Sequence, residues 1–158
     1  MHYTVAVVLK NAANPHEFLV VKRPNDDPEL AGAWGFPAIT LRPGELPERA
    51  AERVCQEKLH CSATVGRFLG VMFQERNGYD IALMDIEMLL VDNEWPDVHA
   101  ANTEHTKYID QKWSTDPRDL LLSAQRGSCC SSIFLTDCGL LDRDAWVVTL
   151  KASKPAAL

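Results

Sequence analysis

The residues best suited to chemistry lie in one short segment that mixes charged and small apolar side chains. Glu57 and Lys58 belong to a run from Leu46 to His60 whose apolar spacing predicts a helix. Positions three and four apart share a helix face, and around Glu57 that face is completed by Val54, Lys58 and Cys61. Magnesium prefers several oxygen ligands, usually carboxylates and phosphates. One carboxylate beside an ammonium is therefore a poor magnesium site.

The segment from Trp34 to Cys61 resembles the Nudix box, a pattern found in pyrophosphohydrolases. The match needs no gaps, and three charged positions of the box are occupied by Glu45, Arg53 and Glu57. Flanking features of the family are also present, namely Phe36-Pro37, Pro43-Gly44 and Ala50-Ala51. Four box residues, Gly, Glu, Glu and Gly, are replaced by Ile39, Val54, Lys58 and His60.

The resemblance implies an α/β fold, the Nudix-type α/β/α sandwich with a mixed β-sheet. It implies hydrolysis of a nucleoside diphosphate-linked small molecule with magnesium or manganese, and a possible homodimer. It assigns catalytic roles to Glu57 and Arg53 and the metal to Glu57. Two of the three metal-binding glutamates are replaced, and loss of a catalytic base alone costs about 10²–10⁴ in rate. We therefore expect weak or absent hydrolysis, and possible function without a metal.

Three basic side chains are candidates for contacting phosphate in place of a metal. The Lys58 ammonium would take the space of the missing cation. Arg23, at the end of an apolar strand, and Arg42, in the loop before the helix, carry guanidinium groups suited to bidentate phosphate binding. The alternatives are an ion pair of Lys58 with Glu57 or Glu45, and ordinary surface positions for both arginines.

Two aromatic side chains before the helix are candidates for stacking a nucleobase. Trp34 and Phe36 present aromatic faces, and base stacking on such a face contributes about 1–3 kcal/mol. Core packing is the alternative for both residues.

Other carboxylates offer a way to rebuild a metal site. A stripe on the predicted helix, Glu45, Glu48 and Glu52, fits a solvated face better than a metal site, because Glu52 points away from position 54. Further along, seven acidic residues are candidates for a ligand supplied from a loop: Glu75, Asp80, Asp85, Glu87, Glu94, Asp97 and Glu104.

Hydrophobic alternation and turn residues predict the other elements. The predicted strands are Tyr3 to Leu9, Phe18 to Arg23, Thr64 to Gln74, Asp80 to Val91, and one near Lys107 to Trp113. Helices are predicted from Asp116 to Leu122, with a possible extension to Gln125, and from Ser128 to Leu135. The segment from Ala145 to Leu150 fits either a strand or a helix.

Composition limits the partners and the location. The 158 residues fit a single domain, which we place at 1–150 with a loose tail at 151–158. The formal charge of −6 argues against nucleic-acid polymers and leaves open the small-molecule nucleotide that the resemblance implies as the partner. We expect no membrane segment, a cytoplasmic location, and reduced cysteines, with Cys55 and Cys61 as small buried residues.

Three functional classes remain open on the sequence alone. The first is a hydrolase in which an unidentified loop carboxylate assists Glu57. The second is a non-catalytic nucleotide-binding or regulatory module, in which Lys58 and the arginines replace the metal. The third is a purely structural role through dimerisation.

Overall fold

A mixed β-sheet carries the fold. In the computed structural model, which describes residues 1–103 and 106–150, the strands are β1 His2–Asn11, β2 Asn14–Lys22, β3 Trp34–Gly35, β4 Ala38–Thr40, β5 Ala63–Arg76, β6 Tyr79–Leu90, β7 Asp110–Ser114 and β8 Thr149–Leu150. Their order is β3-β2-β1-β6-β5-β8, with β4 also paired to β1 and β7 to β2. The helices are α1 Pro47–Leu59, α2 Leu121–Gln125 and α3 Cys129–Asp137, with 3-10 turns at Val98–Ala100, Pro117–Leu120 and Arg143–Ala145.

The central strand β1 is apolar on both faces, which explains why helices cover both sides of the sheet. Its run of buried residues, 5–9, is fully inaccessible to solvent. Alternate side chains point to opposite faces, so Val5, Val7 and Leu9 pack in the cluster with α1, whereas Ala6 and Val8 pack in the cluster with α3. The predicted α/β/α sandwich with a mixed sheet is confirmed.

The sheet opens between β1 and β2. These strands pair near their connecting turn, through Lys10 with Phe18 and Asn11 with Asn14. Beyond that point β1 pairs with β4, while β2 pairs with β3 and β7. The two halves of the sheet therefore diverge, and the gap between them forms a cleft beside α1.

Helix α1 follows the sequence pattern closely. Pro47 stands in its first turn, where a missing N–H is harmless. The helix ends at His60, whose left-handed backbone (φ 50°) lets the following residue fold back, with the Cys61 N–H donating to the Cys55 carbonyl at 3.0 Å. The side predicted to be buried is buried, namely Ala50, Val54, Cys55 and Leu59.

The other predicted elements differ mainly in their bounds. Strand β7 begins at Asp110 rather than Lys107, and residues 117–125 divide into a 3-10 turn and α2. The ambiguous segment near 145–150 ends in a short strand parallel to β5. The short strands β3 and β4 were not predicted, because two or three residues are too few to show alternation.

The predicted tail, Lys151 to Leu158, lies outside the described residues. All five cysteines are free, and Cys55 and Cys61 are buried as expected.

The segment that ends in β8 packs against β5 beside Gly127. The Gln74 side-chain amide donates to the carbonyls of Gly127 (2.8 Å) and Val147 (2.7 Å). Gly127 has φ +103°, and a Cβ added there would lie 2.9 Å from Leu150 Cδ1.

We predict that Gly127→Ala destabilises the protein by about 2–3 kcal/mol, through an unfavourable backbone conformation and a steric clash. Gly139→Ala is the matched control, since Gly139 also has positive φ (+75°) but no atom lies within 4 Å of an added Cβ. Urea unfolding of both variants measures the difference. Equal losses of stability would show that the contact with Leu150 is unimportant.

Candidate functional site

The cleft where the sheet opens has a volume of about 800 Å³ and a basic lining. It is walled by α1, by the loop after β2, by the start of β1 and by the β5–β6 hairpin. The described residues contribute five strongly basic side chains, Arg23, Arg42, Arg53, Lys58 and Arg76, and three acidic ones, Asp27, Glu29 and Glu57. This surplus of positive charge, in a chain with a formal charge of −6, favours an anion in the cleft.

Arg53 ties α1 to the loop before it. Its Nε and Nη2 donate to the two carboxylate oxygens of Glu45 at 2.9 and 2.8 Å, and Nη2 also donates to the Thr40 carbonyl at 3.0 Å. Hydrogen bonding by the guanidinium lowers the pKa of Glu45, against the opposing effect of burial. The prediction that Glu45 lies on a solvated face of the helix is therefore wrong. Glu48, from the same predicted face, is exposed.

Glu57 is held by two guanidinium groups. Arg53 Nη1 lies 3.4 Å from one of its carboxylate oxygens and Arg42 Nη2 lies 3.5 Å from the other. The structure thus brings together the two residues predicted to be catalytic, Arg53 and Glu57. It also places Arg42, whose side chain is 66% exposed, at the edge of the cleft.

The donor set around Glu57 does not fit magnesium or manganese. Val54 is fully buried in the core, and a lysine occupies the next position after Glu57. Within residues 1–103 and 106–150, no three His, Cys, Asp or Glu side chains come together as a possible metal site. Divalent cations of this kind need several oxygen ligands, whereas Glu57 already has two arginines as partners.

Lys58 is a buried cation. The residue is 2% exposed, its Nζ donates to the Thr106 carbonyl at 2.5 Å, and it lies 5.3 Å from the centre of the Tyr108 ring. Burial lowers its pKa to about 8, and the nearby charge of Arg23 adds to this effect. Among the described residues it forms no ion pair with Glu57 or Glu45 within 4 Å, so that alternative is not what the structure shows.

Arg23 is positioned by a folded loop. Its Nη1 lies 3.1 Å from Asp27 Oδ2, and the other oxygen of Asp27 accepts the backbone N–H groups of Glu29 and Leu30 at 3.0 and 2.9 Å. Burial opposes ionisation of Asp27, but the Leu30 N–H and Arg23 outweigh it, and the pKa of Asp27 is lowered. The ionised carboxylate therefore fixes Arg23 on the wall of the cleft.

The opposite wall contains polar residues that the sequence analysis missed. Arg76 is 9% exposed and lies 3.1 Å from Glu29, while the Tyr79 hydroxyl donates to the same carboxylate at 2.6 Å. The His2 ring lies 4.7 Å from the Tyr79 ring. The sequence contained a signal for Arg76, because strand alternation places it on the same face of β5 as the buried Met72 and Gln74.

The two aromatic residues proposed for base stacking lie away from the cleft. Phe36 is 3% exposed and packs on Phe134 with ring centres 5.0 Å apart, which is the core-packing alternative. Trp34 is half-buried, with Lys112 Nζ 4.7 Å from its ring centre. Neither residue lines the cleft, whose aromatic side chains are Tyr79 and Tyr108, with the His2 imidazole beside them.

The later carboxylates do not complete the site within the described residues. Glu75, Asp80, Asp85 and Glu87 lie in β5 and β6, and Glu94 and Asp97 lie in the loop that follows. None of these six lines the cleft. Glu104 lies outside the described residues.

Comparison with solved structures places this architecture in a known fold class. The chain is similar to the MutT protein of Methanosarcina mazei Go1 (TM-score 0.61, 16% identity, 87% of this chain and 93% of that one). It is also similar to an Ap4A hydrolase of C. elegans (0.59, 18%, 77% and 85%) and to the ORF135 protein of E. coli (0.56, 24%, 77% and 78%). At these identities the likeness shows a shared fold.

The NUDIX domain model matches residues 1–116, and the chain belongs to the Nudix family. A search of curated proteins finds no matching sequence. None of the helices in the described part of the chain is long and apolar enough to cross a membrane.

We predict that Arg53→Lys destabilises the protein by about 2 kcal/mol, because an ammonium cannot donate two parallel hydrogen bonds to the carboxylate of Glu45. Arg49→Lys is a matched control on the same helix. The Arg49 side chain is 73% exposed and 3.4 Å from Glu52, and its replacement is expected to cost less than about 0.5 kcal/mol.

Chemical unfolding of both variants, alone and combined with Glu45→Gln, measures the coupling. Additive losses for Arg53→Lys and Glu45→Gln would mean that the paired hydrogen bonds do not hold α1 to its loop.

Proposed function

We propose that this Nudix-family protein acts on a nucleoside diphosphate-linked small molecule mainly by binding it, with hydrolysis weak or lost. The observation that carries the proposal is the charge arrangement of the cleft. Position 58 presents a buried ammonium, and the neighbouring carboxylate is already engaged by Arg42 and Arg53. This arrangement supports the proposal that fixed cations of the protein replace the divalent metal as partners of a diphosphate.

The basic residues suit the two phosphates of such a ligand. Arg23 and Arg42 line the same cleft as Lys58, and charge-assisted hydrogen bonds from guanidinium groups to phosphate are short, strong and often bidentate. Arg42 is the most accessible of the three, and its contact with Glu57 is long at 3.5 Å. An incoming phosphate is thus able to displace Glu57 from Arg42 at little cost.

The opposite wall suits the nucleoside. His2 and Tyr79 provide ring faces, and Ile81 and Leu83 provide apolar surface. Aromatic faces stack bases with little dependence on base identity. We therefore propose His2 and Tyr79, rather than Trp34 and Phe36, as the stacking surface.

Hydrolysis is the second candidate function, and the placement of Glu57 beside Arg53 in the cleft favours it. The structural relatives include proteins named MutT and Ap4A hydrolase. This function requires a further carboxylate beyond those of the described cleft.

The assembly and location belong to the same proposal. A homodimer would cover apolar side chains exposed on β5, of which Phe68 is 55% and Phe73 61% exposed. A cytoplasmic location is proposed because all five cysteines are free. The negative net charge supports a small nucleotide rather than a nucleic-acid polymer as the partner.

We predict that ADP raises the melting temperature in the presence of a chelator, whereas adenosine does so far less, because the phosphates supply most of the binding energy. Arg42→Gln is expected to weaken ADP binding about 10- to 100-fold, the effect of losing a charged hydrogen bond. Titration calorimetry measures both affinities.

Arg49→Gln is the control, because Arg49 is an exposed arginine of α1 that does not line the cleft. If ADP bound the wild type only with magnesium, or if both arginine variants bound it equally well, fixed cations would not be replacing the metal.

A second prediction concerns the metal. Lys58→Glu places a carboxylate beside Glu57, and we expect manganese to raise the melting temperature of this variant by several degrees while leaving the wild type unchanged. Lys58→Gln, which removes the ammonium without adding a ligand, is the control. Metal-dependent release of phosphate by the wild type would instead support the hydrolase.

A further inference from the structure

Asp85 is a fully buried carboxyl group that has no hydrogen-bond partner in the described part of the chain. It lies in the middle of β6, between Ala6 of β1 and Gly70 of β5. Its exposure is 0%, and neither carboxyl oxygen has a hydrogen-bond partner among residues 1–103 and 106–150. An ionised carboxylate without partners is very costly in such a place, so the geometry requires the neutral acid.

Among the residues that the structure describes, no cation is one of the groups that act on Asp85. By strand alternation it shares a face with Leu83, which packs in the cluster beneath α3. The titratable groups that act on it are on α3, namely Cys129, Cys130 and Asp137. Its neighbours in register on β1 and β5 are Ala6 and Gly70, which carry no charge. Cations on this side of the sheet are paired with other carboxylates: Arg67 with Asp137 at 2.8 and 3.0 Å, Arg76 with Glu29 at 3.1 Å, and Lys10 with Glu87 at 3.2 Å.

Helix α3 is packed too closely on the sheet to admit water to a charged group at Asp85. Seven of its nine residues, Cys129 to Leu135, are buried. Beneath the helix, a Cβ added to Gly70 would come within 3.1 Å of Ile133. The layer is therefore closely packed, and a hydrated carboxylate needs α3 to move away from the sheet.

We propose that Asp85 is a proton-controlled switch for the packing of α3: the neutral acid holds the helix on the sheet, and loss of its proton loosens it. Burial raises the pKa of Asp85 well above its ordinary value, and the charges of α3 act in the same direction. This inference concerns the helical layer behind the sheet and is independent of nucleotide binding.

The direction of the pH dependence follows from proton uptake. Because the pKa of Asp85 is raised in the folded state, the folded protein binds more protons than the unfolded chain above about pH 4. Its contribution to stability is therefore complete at acidic pH and is lost as pH rises towards the folded-state pKa. Over that range the folding equilibrium constant falls by up to tenfold per pH unit.

The test compares wild type with Asp85→Asn, which has nearly the same shape but does not titrate. Asp137→Asn is the control, since it removes a carboxylate of α3 that is already paired with Arg67. Guanidinium unfolding from pH 5 to 9 is expected to show this fall, by up to tenfold per pH unit, in wild type and in Asp137→Asn, and its absence in Asp85→Asn. If the free energy of unfolding had the same pH dependence in wild type and in Asp85→Asn, the proposal would be overturned.

Two measurements on the wild type keep the proposal testable if Asp85→Asn does not fold. The ¹³C chemical shift of the Asp85 carboxyl group is expected to report the neutral acid at pH 6; an ionised carboxylate there would refute the switch. Hydrogen exchange, corrected for its intrinsic pH dependence, is expected to show weaker protection of Ser131 to Leu135 once Asp85 ionises, with β1 unchanged. Unaltered protection of α3 through that titration would also refute it.

Discussion

The structure depends on one constraint: β1 is apolar on both faces and has to be covered from both sides. Helix α1 covers one face and α3 the other. Since β1 pairs with β6 along most of its length and with β4 at Thr4 to Ala6, β2 is free to diverge and take β7 as its neighbour. Where β1 and β2 separate, each pairs with other strands, and the gap between them forms the cleft. The site is therefore a consequence of how the core is closed.

Charge inside that cleft is organised in pairs of different strength. The pair of Arg53 with Glu45 is half-buried and has two short hydrogen bonds, so it fixes the loop on α1. The contacts of Glu57 are longer, at 3.4 and 3.5 Å, and leave the edge of the cleft adjustable. Opposite them, Glu29 is shared by Arg76 and Tyr79. The short Arg53–Glu45 hydrogen bonds thus hold the loop in place, whereas the longer contacts of Glu57 are the ones that a ligand could replace.

Much of this arrangement was predictable from the sequence, and the failures have physical causes. The helix of residues 47–59 and its buried side follow from apolar periodicity, which is a local property. The pairing of Glu45 with Arg53 was missed because their hydrogen bonds depend on how the loop returns to the helix. Residue type makes Phe36 and Trp34 candidates for a ligand, with core packing as the alternative, whereas the position of each ring relative to the cleft depends on the short strand β3. The isolation of Asp85 follows from the packing of α3, which local sequence does not encode.

The buried ammonium of Lys58 has a consequence for the form in which the proposed nucleotide ligand would bind. A divalent ion is an exchangeable partner that travels with the nucleotide, but a lysine is a permanent part of the chain. Because the cleft already contains five strongly basic side chains, a nucleotide that arrives with its own magnesium brings two further positive charges into the same space. Under the proposed function, the free nucleotide is therefore the expected ligand, and its occupancy is expected to fall as the magnesium concentration rises. On that proposal, the site would respond to the ratio of nucleotide to metal rather than to the nucleotide concentration alone.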